Sequence, residues 1–194
     1  SVDLGIEVLT LYSFSTENWK RPSHEIQALM ELYRHYLIGI RPMLEKNHVK
    51  LVHLGRRDNL PDFVLDALDE TIEITSQNDG LILSLALNYS GRSEIEDAVK
   101  NIARKVKTDE LDPEDITQEK LSENLYRPEL PDPDLLIRTA NELRVSNFLL
   151  WQLAYSEFYI TDICWPDFAK ESLEDAIMAY AGRDRRFGAL DQKS

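Results

Sequence analysis

The chain has 194 residues, of which 43% are hydrophobic and 29% charged, proportions that suit one soluble globular domain and argue against a disordered chain. Its 22 Lys and Arg residues against 35 Asp and Glu residues give a formal net charge of -13, and a field of this sign disfavours nucleic acid as a partner. No apolar stretch approaches the roughly 20 residues that cross a bilayer, and the lone Cys164 cannot form an internal disulfide. These features favour a cytoplasmic protein.

The apolar pattern predicts strands that alternate with helices. Residues 5 to 14 form a buried strand, and residues 24 to 46 follow as an amphipathic helix that Pro42 bends or divides. The later predicted elements are a strand over 49 to 54, a helix opening at Pro61, a strand over 81 to 88, a helix from Ser93 to about Lys107, a short helix over 117 to 125, and strands over 135 to 138 and 157 to 161. This alternation predicts an α/β fold, a mostly parallel sheet with helices on both faces.

Polar segments follow three of the predicted strands. They are Ser15-Thr-Glu-Asn-Trp-Lys-Arg21, Asn88-Tyr-Ser-Gly-Arg92 and Arg138-Thr-Ala-Asn-Glu-Leu-Arg-Val-Ser146. In open α/β sheets ligands bind beyond the carboxyl ends of the strands, so we expect the functional site among these segments.

Arg138 and Arg144 have the spacing of an anion clamp. They lie six residues apart around a predicted turn, and Ser146 and Asn147 follow at a predicted helix start. Guanidinium groups bind phosphate oxygens bidentately, and a hydroxyl with free helix N–H groups would complete the cradle. The alternative is that both arginines form surface ion pairs, and the spacing alone does not decide between the two.

The other candidates are weaker when taken singly. The segment from Ser15 to Trp19 combines a hydroxyl, a carboxylate, a carboxamide and an aromatic ring, yet a capped turn with a packed Trp has the same composition. Glu157 could place a carboxylate beside a phosphate-bound metal ion. The apolar stripe of the first helix is more typical of core packing than of a tunnel. No role is assigned to His24, His35, His48, His53 or Cys164.

Six segments resemble, in chain order, the signatures of the undecaprenyl diphosphate synthases, a family of cis-prenyltransferases. They are Phe14-Ser-Thr-Glu-Asn-Trp-Lys-Arg-Pro22, Leu87-Asn-Tyr-Ser-Gly-Arg92, Asp134-Leu-Leu-Ile-Arg-Thr139, Arg144-Val-Ser-Asn-Phe-Leu-Leu-Trp-Gln-Leu-Ala-Tyr-Ser-Glu157, Trp165-Pro-Asp-Phe168 and Arg183-Asp-Arg-Arg-Phe-Gly188. The resemblance covers essentially the whole chain, and six ordered motifs are far more specific than any one of them.

The resemblance implies a transferase that condenses isopentenyl diphosphate with an allylic prenyl diphosphate, farnesyl diphosphate being the expected primer. The product would be a long cis-polyprenyl diphosphate such as undecaprenyl diphosphate, the lipid carrier precursor for cell-wall synthesis. Asn18 matches the residue that assists proton removal, and Glu157 the ligand of Mg²⁺. The implied substrate-binding residues are Ser15, Thr16, Glu17, Trp19, Arg21, Arg138, Arg144, Val145 and Ser146. An apolar tunnel between the first helix and the sheet would be lined by Leu29, Leu32, Leu37, Leu81 and Leu83.

The resemblance also implies a homodimer in which the tail beginning at Arg183 reaches the neighbour's diphosphate. Product would pass to the membrane from a cytoplasmic protein without a transmembrane segment, or from one bound peripherally at the inner membrane face. Two other readings remain open. One is a noncatalytic, prenyltransferase-like partner subunit, and the other is a family member that makes shorter or irregular prenyl diphosphates.

The sequence departs from the family pattern in two places. A first strand, a phosphate-binding loop of the Asp-Gly-Asn-Gly-Arg type and a first helix are not found in residues 1 to 194, so this single domain is expected to be inactive alone. Thr139-Ala-Asn-Glu142 stands where the family has Ser/Gly-Gly-Glu. Because Asn tolerates left-handed backbone angles, we expect Asn141 to replace a turn glycine and the clamp to survive.

Overall fold

The computed structural model describes residues 1–183, which fall into two compact units, Ser1–Pro131 and the residues from Asp132 onward. The first unit contains a three-stranded sheet in which both pairs of neighbouring strands are parallel. Its strands in spatial order are β1 (Val8–Ser15), β3 (Ile82–Tyr89) and β2 (Lys50–Leu54). The α/β fold with a parallel sheet predicted from the sequence is confirmed.

Five α-helices accompany this sheet in the described part of the first unit. They are α1 (Ser23–Gly39), α2 (Arg41–Lys46), α3 (Asp62–Ile74), α4 (Gly91–Lys107) and α5 (Gln118–Ser122). The predicted helix over 24 to 46 is divided at Ile40, because Pro42 lacks an N–H group and its ring crowds the preceding turn. Pro61 lies one residue before α3, as its N-cap, and α4 begins two residues earlier than predicted.

One hydrophobic cluster joins the sheet to α1, α2 and α3. Its buried members are Phe14, Met30, Leu37, Leu44, Val49, Leu51, Leu60, Val64, Ala67, Leu68, Leu81, Leu83 and Leu87. Successive residues of a strand face opposite sides, so Ser84 and Ala86, both 0% exposed, lie on the other face of β3. The central strand is therefore buried on both faces, as its continuous apolar sequence predicts.

Gly55 closes the carboxyl end of β2 against β3. Its φ is 140°, and a Cβ at this position would lie 2.4 Å from the Leu87 carbonyl oxygen and 2.9 Å from that of Asn88. No residue with a side chain fits so close a backbone approach. The loop after β2 is thereby pressed against the last residues of β3.

The second unit contains two parallel strands, β4 (Leu135–Arg138) and β5 (Glu157–Ile160), and α6 (Lys170–Ala181), which packs against β5. The helix predicted to begin at Ser146 is not formed. Ser146 and Asn147 instead occupy the left-handed region, with φ of 50° and 61°, in a run of turns that ends in a short 3-10 helix, Gln152–Tyr155. Within residues 1–183, no helix is both long enough and apolar enough to cross a bilayer.

Candidate functional site

The polar segment after β1 folds as a capped 3-10 turn, Thr16–Lys20. The Ser15 backbone N–H donates to Asn18 Oδ1 at 2.9 Å, and the Arg21 N–H donates to the Asn18 carbonyl oxygen at 3.0 Å. Ser15 and Asn18 form a capping box, in which each satisfies a backbone group of the other. The segment therefore forms the capped turn that the sequence analysis gave as the alternative to a functional site.

The capping box fixes which end of the Asn18 side chain is free for chemistry. Because a backbone N–H can only donate, the atom facing Ser15 must be the amide oxygen. The Nδ2 group of Asn18 is then the end able to donate a hydrogen bond to another molecule. A carboxamide is not a base, so this geometry suits a residue that orients an anion or a water molecule rather than one that removes a proton.

The remaining side chains of this segment divide into exposed and packed ones. Glu17 and Arg21 are exposed, and Thr16 Oγ1 donates to Glu17 Oε2 at 3.3 Å. Trp19 is half-buried, makes an edge-to-face contact with Phe14 at a centroid distance of 5.0 Å, and donates from Nε1 to Asn88 Oδ1 at 2.7 Å. The indole ring therefore anchors a segment whose charged groups face solvent.

Tyr33 holds α1 against the strand that leads into this segment. Its hydroxyl donates to the Ser13 carbonyl oxygen at 2.7 Å. Burial raises the pKa of Tyr33 to about 12, against the opposing effect of the nearby Arg21 charge. The phenol therefore stays protonated at neutral pH and acts as a structural donor. Sequence reasoning did not single out Tyr33, because its partner lies 20 residues away on another element.

The segment after β3 lies at the same sheet edge as the segment after β1. Ser15 is the register partner of Tyr89, so the parallel pairing places the two carboxyl ends side by side. The Tyr89 hydroxyl donates to Glu94 Oε2 at 2.7 Å, and the Tyr126 N–H donates to Glu94 Oε1 at 3.1 Å. Glu94 is 1% exposed, so a buried carboxyl group with two hydrogen-bond donors holds Tyr89 and Tyr126 together at this edge of the sheet.

In the second unit, Arg138 ends β4 with its guanidinium group partly unused. Arg138 Nη2 lies 3.5 Å from Ser146 Oγ, so the two predicted clamp residues are neighbours. Arg138 Nε is buried and has no hydrogen-bond partner among residues 1–183. A buried guanidinium nitrogen without a partner is costly, and an anion placed beside it would remove that cost.

Arg144 lies in the loop that follows. Its side chain is 67% exposed and forms an ion pair with Glu142 at 2.5 Å. Val145 is half-buried, and its carbonyl oxygen accepts from the Phe148 N–H at 3.0 Å. An ion pair this exposed contributes little to stability, so Arg144 can exchange Glu142 for another anion at small cost. The helix N–H groups expected to complete the anion cradle are not there, because no helix starts at Ser146.

The turn between Arg138 and Arg144 contains two residues with left-handed backbone angles, Ala140 and Asn141. They stand where the sequence analysis expects a small residue and a glycine. Ala140 has a φ of 58° and Asn141 a φ of 53°. Their N–H groups donate to the carbonyl oxygens of Ile163 at 2.9 Å and Thr161 at 2.7 Å, so the turn is tied to the chain after β5. Asn141 adopts the conformation expected of it, while Ala140 adopts one that Ala disfavours.

Glu157 opens β5, beside β4, and its carboxylate is about one-third exposed. Its Oε2 accepts from Arg183 Nη1 at 2.6 Å, an ion pair that the sequence did not indicate. Within the described chain no group of three or more His, Cys, Asp or Glu side chains is placed to share a metal ion. One accessible carboxylate still fits Mg²⁺, which commonly binds one or two protein carboxylates together with substrate phosphates and water.

Residues 184 to 188 of the predicted tail lie outside the described residues.

The five predicted tunnel residues differ in burial. Leu37, Leu81 and Leu83 belong to the buried cluster, and Leu29 packs against it. Leu32 is 47% exposed on α1. The tunnel itself stays a prediction.

Comparison with known proteins places these residues in a large set of relatives. A family model described as "Putative undecaprenyl diphosphate synthase" matches residues 1–188. The isoprenyl transferase of Shouchella clausii is 50% identical over 187 residues, which are 96% of this chain and 73% of that protein. The isoprenyl transferase of Geobacillus kaustophilus is 49% identical over 191 residues, 98% of this chain and 74% of that protein.

Two solved structures share the fold. Lavandulyl diphosphate synthase from Lavandula x intermedia, solved with dimethylallyl diphosphate, superposes with a TM-score of 0.94 at 35% identity, over 96% of this chain and 81% of that one. A "probable undecaprenyl diphosphate synthase" from Campylobacter jejuni superposes with a TM-score of 0.85 at 36% identity, over 96% of this chain and 86% of that one.

Proposed function

Because the chain belongs to the undecaprenyl diphosphate synthase family, the cis-prenyltransferases, we propose that it condenses isopentenyl diphosphate with farnesyl diphosphate to make a long cis-polyprenyl diphosphate. The product would be undecaprenyl diphosphate, the precursor of the cell-wall lipid carrier. The observation that carries the proposal is Arg138, whose buried Nε has no partner among residues 1–183 and whose Nη2 lies beside Ser146. A diphosphate supplies the acceptors that this group lacks.

Isopentenyl diphosphate is assigned to the clamp. Arg138 provides the half-buried guanidinium group, Ser146 a hydroxyl, and Arg144 a second cation that leaves Glu142 when the anion arrives. Val145 is included among the proposed binding residues because the family resemblance implies it. Charge-assisted hydrogen bonds are worth about 1.5 to 3 kcal/mol each, so a few of them are enough for micromolar binding of a diphosphate.

The segment after β1 is assigned to orienting the reacting groups. Asn18 donates from Nδ2 to a diphosphate oxygen or a water molecule, and that group accepts the proton lost from isopentenyl diphosphate. The oxygen of Asn18 is held by Ser15, which supports an orienting role rather than a basic one. Thr16, Glu17, Trp19 and Arg21 complete the proposed substrate-binding segment.

Glu157 is the residue proposed to hold Mg²⁺. When bound, the ion would neutralise the diphosphate that departs from the allylic carbon. Arg183, which now pairs with Glu157, would have to release the carboxylate. Activity would further require the family's phosphate-binding loop, which is not found in residues 1 to 194.

The growing chain is proposed to enter a tunnel beside α1 lined by Leu29, Leu32, Leu37, Leu81 and Leu83. We further propose a homodimer that works in the cytoplasm and delivers its product at the inner membrane face. Burial of a long polyprenyl chain at about 0.8 kcal/mol per CH₂ soon exceeds the practical ceiling of binding affinity, so its end should emerge toward lipid.

A second candidate function is the synthesis of a short or irregular prenyl diphosphate. The higher TM-score, 0.94 against 0.85, belongs to lavandulyl diphosphate synthase rather than to the Campylobacter jejuni protein. The sequence identities of these two proteins to the chain, 35% and 36%, do not separate a short product from a long one. The length of the product separates the two.

The test is a prenyl transfer assay on the protein expressed from its full reading frame, with labelled isopentenyl diphosphate, farnesyl or dimethylallyl diphosphate, and Mg²⁺. Arg144→Ala should raise the KM for isopentenyl diphosphate about thirty-fold, the equivalent of about 2 kcal/mol, and leave the KM for the allylic substrate nearly unchanged. Arg104→Ala, which removes an exposed arginine on the last turn of α4, is the matched control. Equal losses for both substrates would contradict the clamp, and absence of any product would favour the noncatalytic subunit.

A further inference from the structure

Asn88 links two loops to β3 at the carboxyl end of the first unit's sheet. It is the seventh residue of β3, is 2% exposed and has a φ of 56°. Its Oδ1 accepts from Trp19 Nε1 at 2.7 Å, and its Nδ2 donates to the carbonyl oxygens of Arg56 at 3.1 Å and Asp58 at 2.8 Å. One side chain thus links the end of β3 to the segment after β1 and the loop after β2.

The chemistry of these three bonds requires an asparagine. An indole N–H can only donate and backbone carbonyls can only accept, so the orientation of the amide is fixed by its partners. Asp would keep the acceptor but lose both donors, and most other residues would also resist the positive φ. The Arg56 N–H donates in return to the Asn88 carbonyl oxygen at 3.0 Å, and Gly55 allows the close approach.

Trp19 connects Asn88 to the candidate site, because it lies in the same turn as Asn18. It follows Asn18 in a 3-10 turn of five residues, a length that has little stability of its own. The edge-to-face contact with Phe14 orients the plane of the indole ring but supplies no oxygen acceptor for its N–H group. Asn88 supplies that acceptor, and we infer that its hydrogen bond fixes the rotation of the indole and with it the backbone that presents Asn18.

We propose that Asn88 is a positioning residue for the segment from Ser15 to Arg21, acting through Trp19. The catalytic consequence rests on the proposed function of that segment, while the positioning itself rests only on the contacts described. Thr75 supplies a contrast. It is fully buried, and its Oγ1 donates to the Thr71 carbonyl oxygen and accepts from the Leu51 N–H, two hydrogen bonds that involve neither Trp19 nor Asn88.

The first experiment reads the Trp19 indole directly by ¹H–¹⁵N NMR on the chain of 194 residues. Trp19→Phe assigns the resonance. In Asn88→Gly, which keeps the positive φ acceptable, the Trp19 indole proton should move upfield and exchange with solvent at least about tenfold faster. Thr75→Val should leave that resonance in place while lowering the melting temperature. An indole resonance unchanged in Asn88→Gly would overturn the proposal.

The second experiment is a double-mutant cycle in the prenyl transfer assay, using the full reading frame. Asn88→Gly and Trp19→Phe should each lower kcat/KM at least about tenfold, and the double variant should be no worse than the poorer single one. Thr75→Val should leave kcat and both KM values unchanged. Additive losses would show that Asn88 does not act through Trp19 and would reject the proposal.

Asn88→Asp provides a check that survives poor folding of the glycine variant. Because Asp retains the acceptor for the indole, Asn88→Asp should lose less kcat/KM than Asn88→Gly does. If the glycine variant does not fold, Trp19→Phe takes its place in this comparison. A larger loss in folded Asn88→Asp protein would contradict the proposal. If wild-type protein forms no prenyl product, the proposed function fails, yet the indole resonance still decides whether Asn88 positions Trp19.

Discussion

Replacing Asp97 by Asn should destabilise the first unit by about 2 kcal/mol, although the two side chains have nearly the same shape. The Asp97 carboxylate accepts from Arg56 Nε at 2.8 Å and Nη2 at 2.7 Å, and from the Tyr126 hydroxyl at 2.5 Å. These bonds tie α4 to the loop after β2 and to the chain after α5. The loop is the one whose carbonyl groups accept from Asn88.

The magnitude follows from which bonds an amide can keep. If the amide of the Asp97→Asn variant places its oxygen where Oδ2 of Asp97 now lies, the bond from Arg56 Nη2 is lost and the other two lose the charge of their acceptor. A charge-assisted bond is worth about 1.5 to 3 kcal/mol and a neutral one about 1 kcal/mol. Since the side chains of Arg56 and Asp97 are still 27% and 29% exposed, solvent screens part of the loss, and the low end of the range applies.

The pKa of Asp97 determines how the loss of stability in Asp97→Asn changes with pH. The hydrogen bond from Arg56, joined by that from Tyr126, lowers the pKa of Asp97 below its ordinary value. As pH falls below about 4, the unfolded chain therefore takes up the proton before the folded protein does, and stability is lost. The difference between wild type and Asp97→Asn should thus stay constant from pH 7 to about 4 and shrink at lower pH.

Urea unfolding followed by circular dichroism at several pH values measures this difference. Asp69→Asn is the matched control, because Asp69 also accepts two bonds from one arginine, Arg57, at 2.9 and 2.6 Å. That pair is 49% and 54% exposed, so its loss should cost at most about 1 kcal/mol. Equal effects of the two substitutions, or a difference for Asp97→Asn that is unchanged at pH 2.5, would refute the reasoning.

Two further predictions concern the sheet and the clamp. Burial lowers the pKa of His53, whose Nε2 donates to the Leu87 carbonyl oxygen at 2.8 Å, so the unfolded chain binds protons first below about pH 6.5 and the protein loses stability there. In His53→Gln the free energy of unfolding, measured in urea, should therefore vary less between pH 6.5 and 5 than in the wild type. An unchanged pH dependence would contradict the assignment. Ala140→Gly should raise stability by about 0.5 to 1 kcal/mol, since the left-handed φ of 58° costs Ala more than Gly loses in unfolded-chain entropy. A lower melting temperature for this variant would show that the strain is absent.

The element pattern was readable from the sequence because it depends on local periodicity. The buried run of β3, the stripe of α1 and the interruption at Pro42 each follow from residues close together in the chain. The predicted helix start at Ser146 was wrong for the same local reason. Ser and Asn suit helix caps and left-handed turns alike, and the turn is the one formed here.

The sequence alone determined the family, the parallel α/β fold and the polar segments that follow its strands, since ordered motifs and periodic patterns are properties of the linear chain. Only the tertiary structure decided which polar groups meet. Trp19 and Asn88 are separated by 69 residues, and Glu157 and Arg183 by 26, so neither pair has a spacing that a pattern could detect. Parallel pairing brings the carboxyl ends of β1 and β3 to one edge, and there the requirement that buried polar groups find partners selects the contact between Trp19 and Asn88.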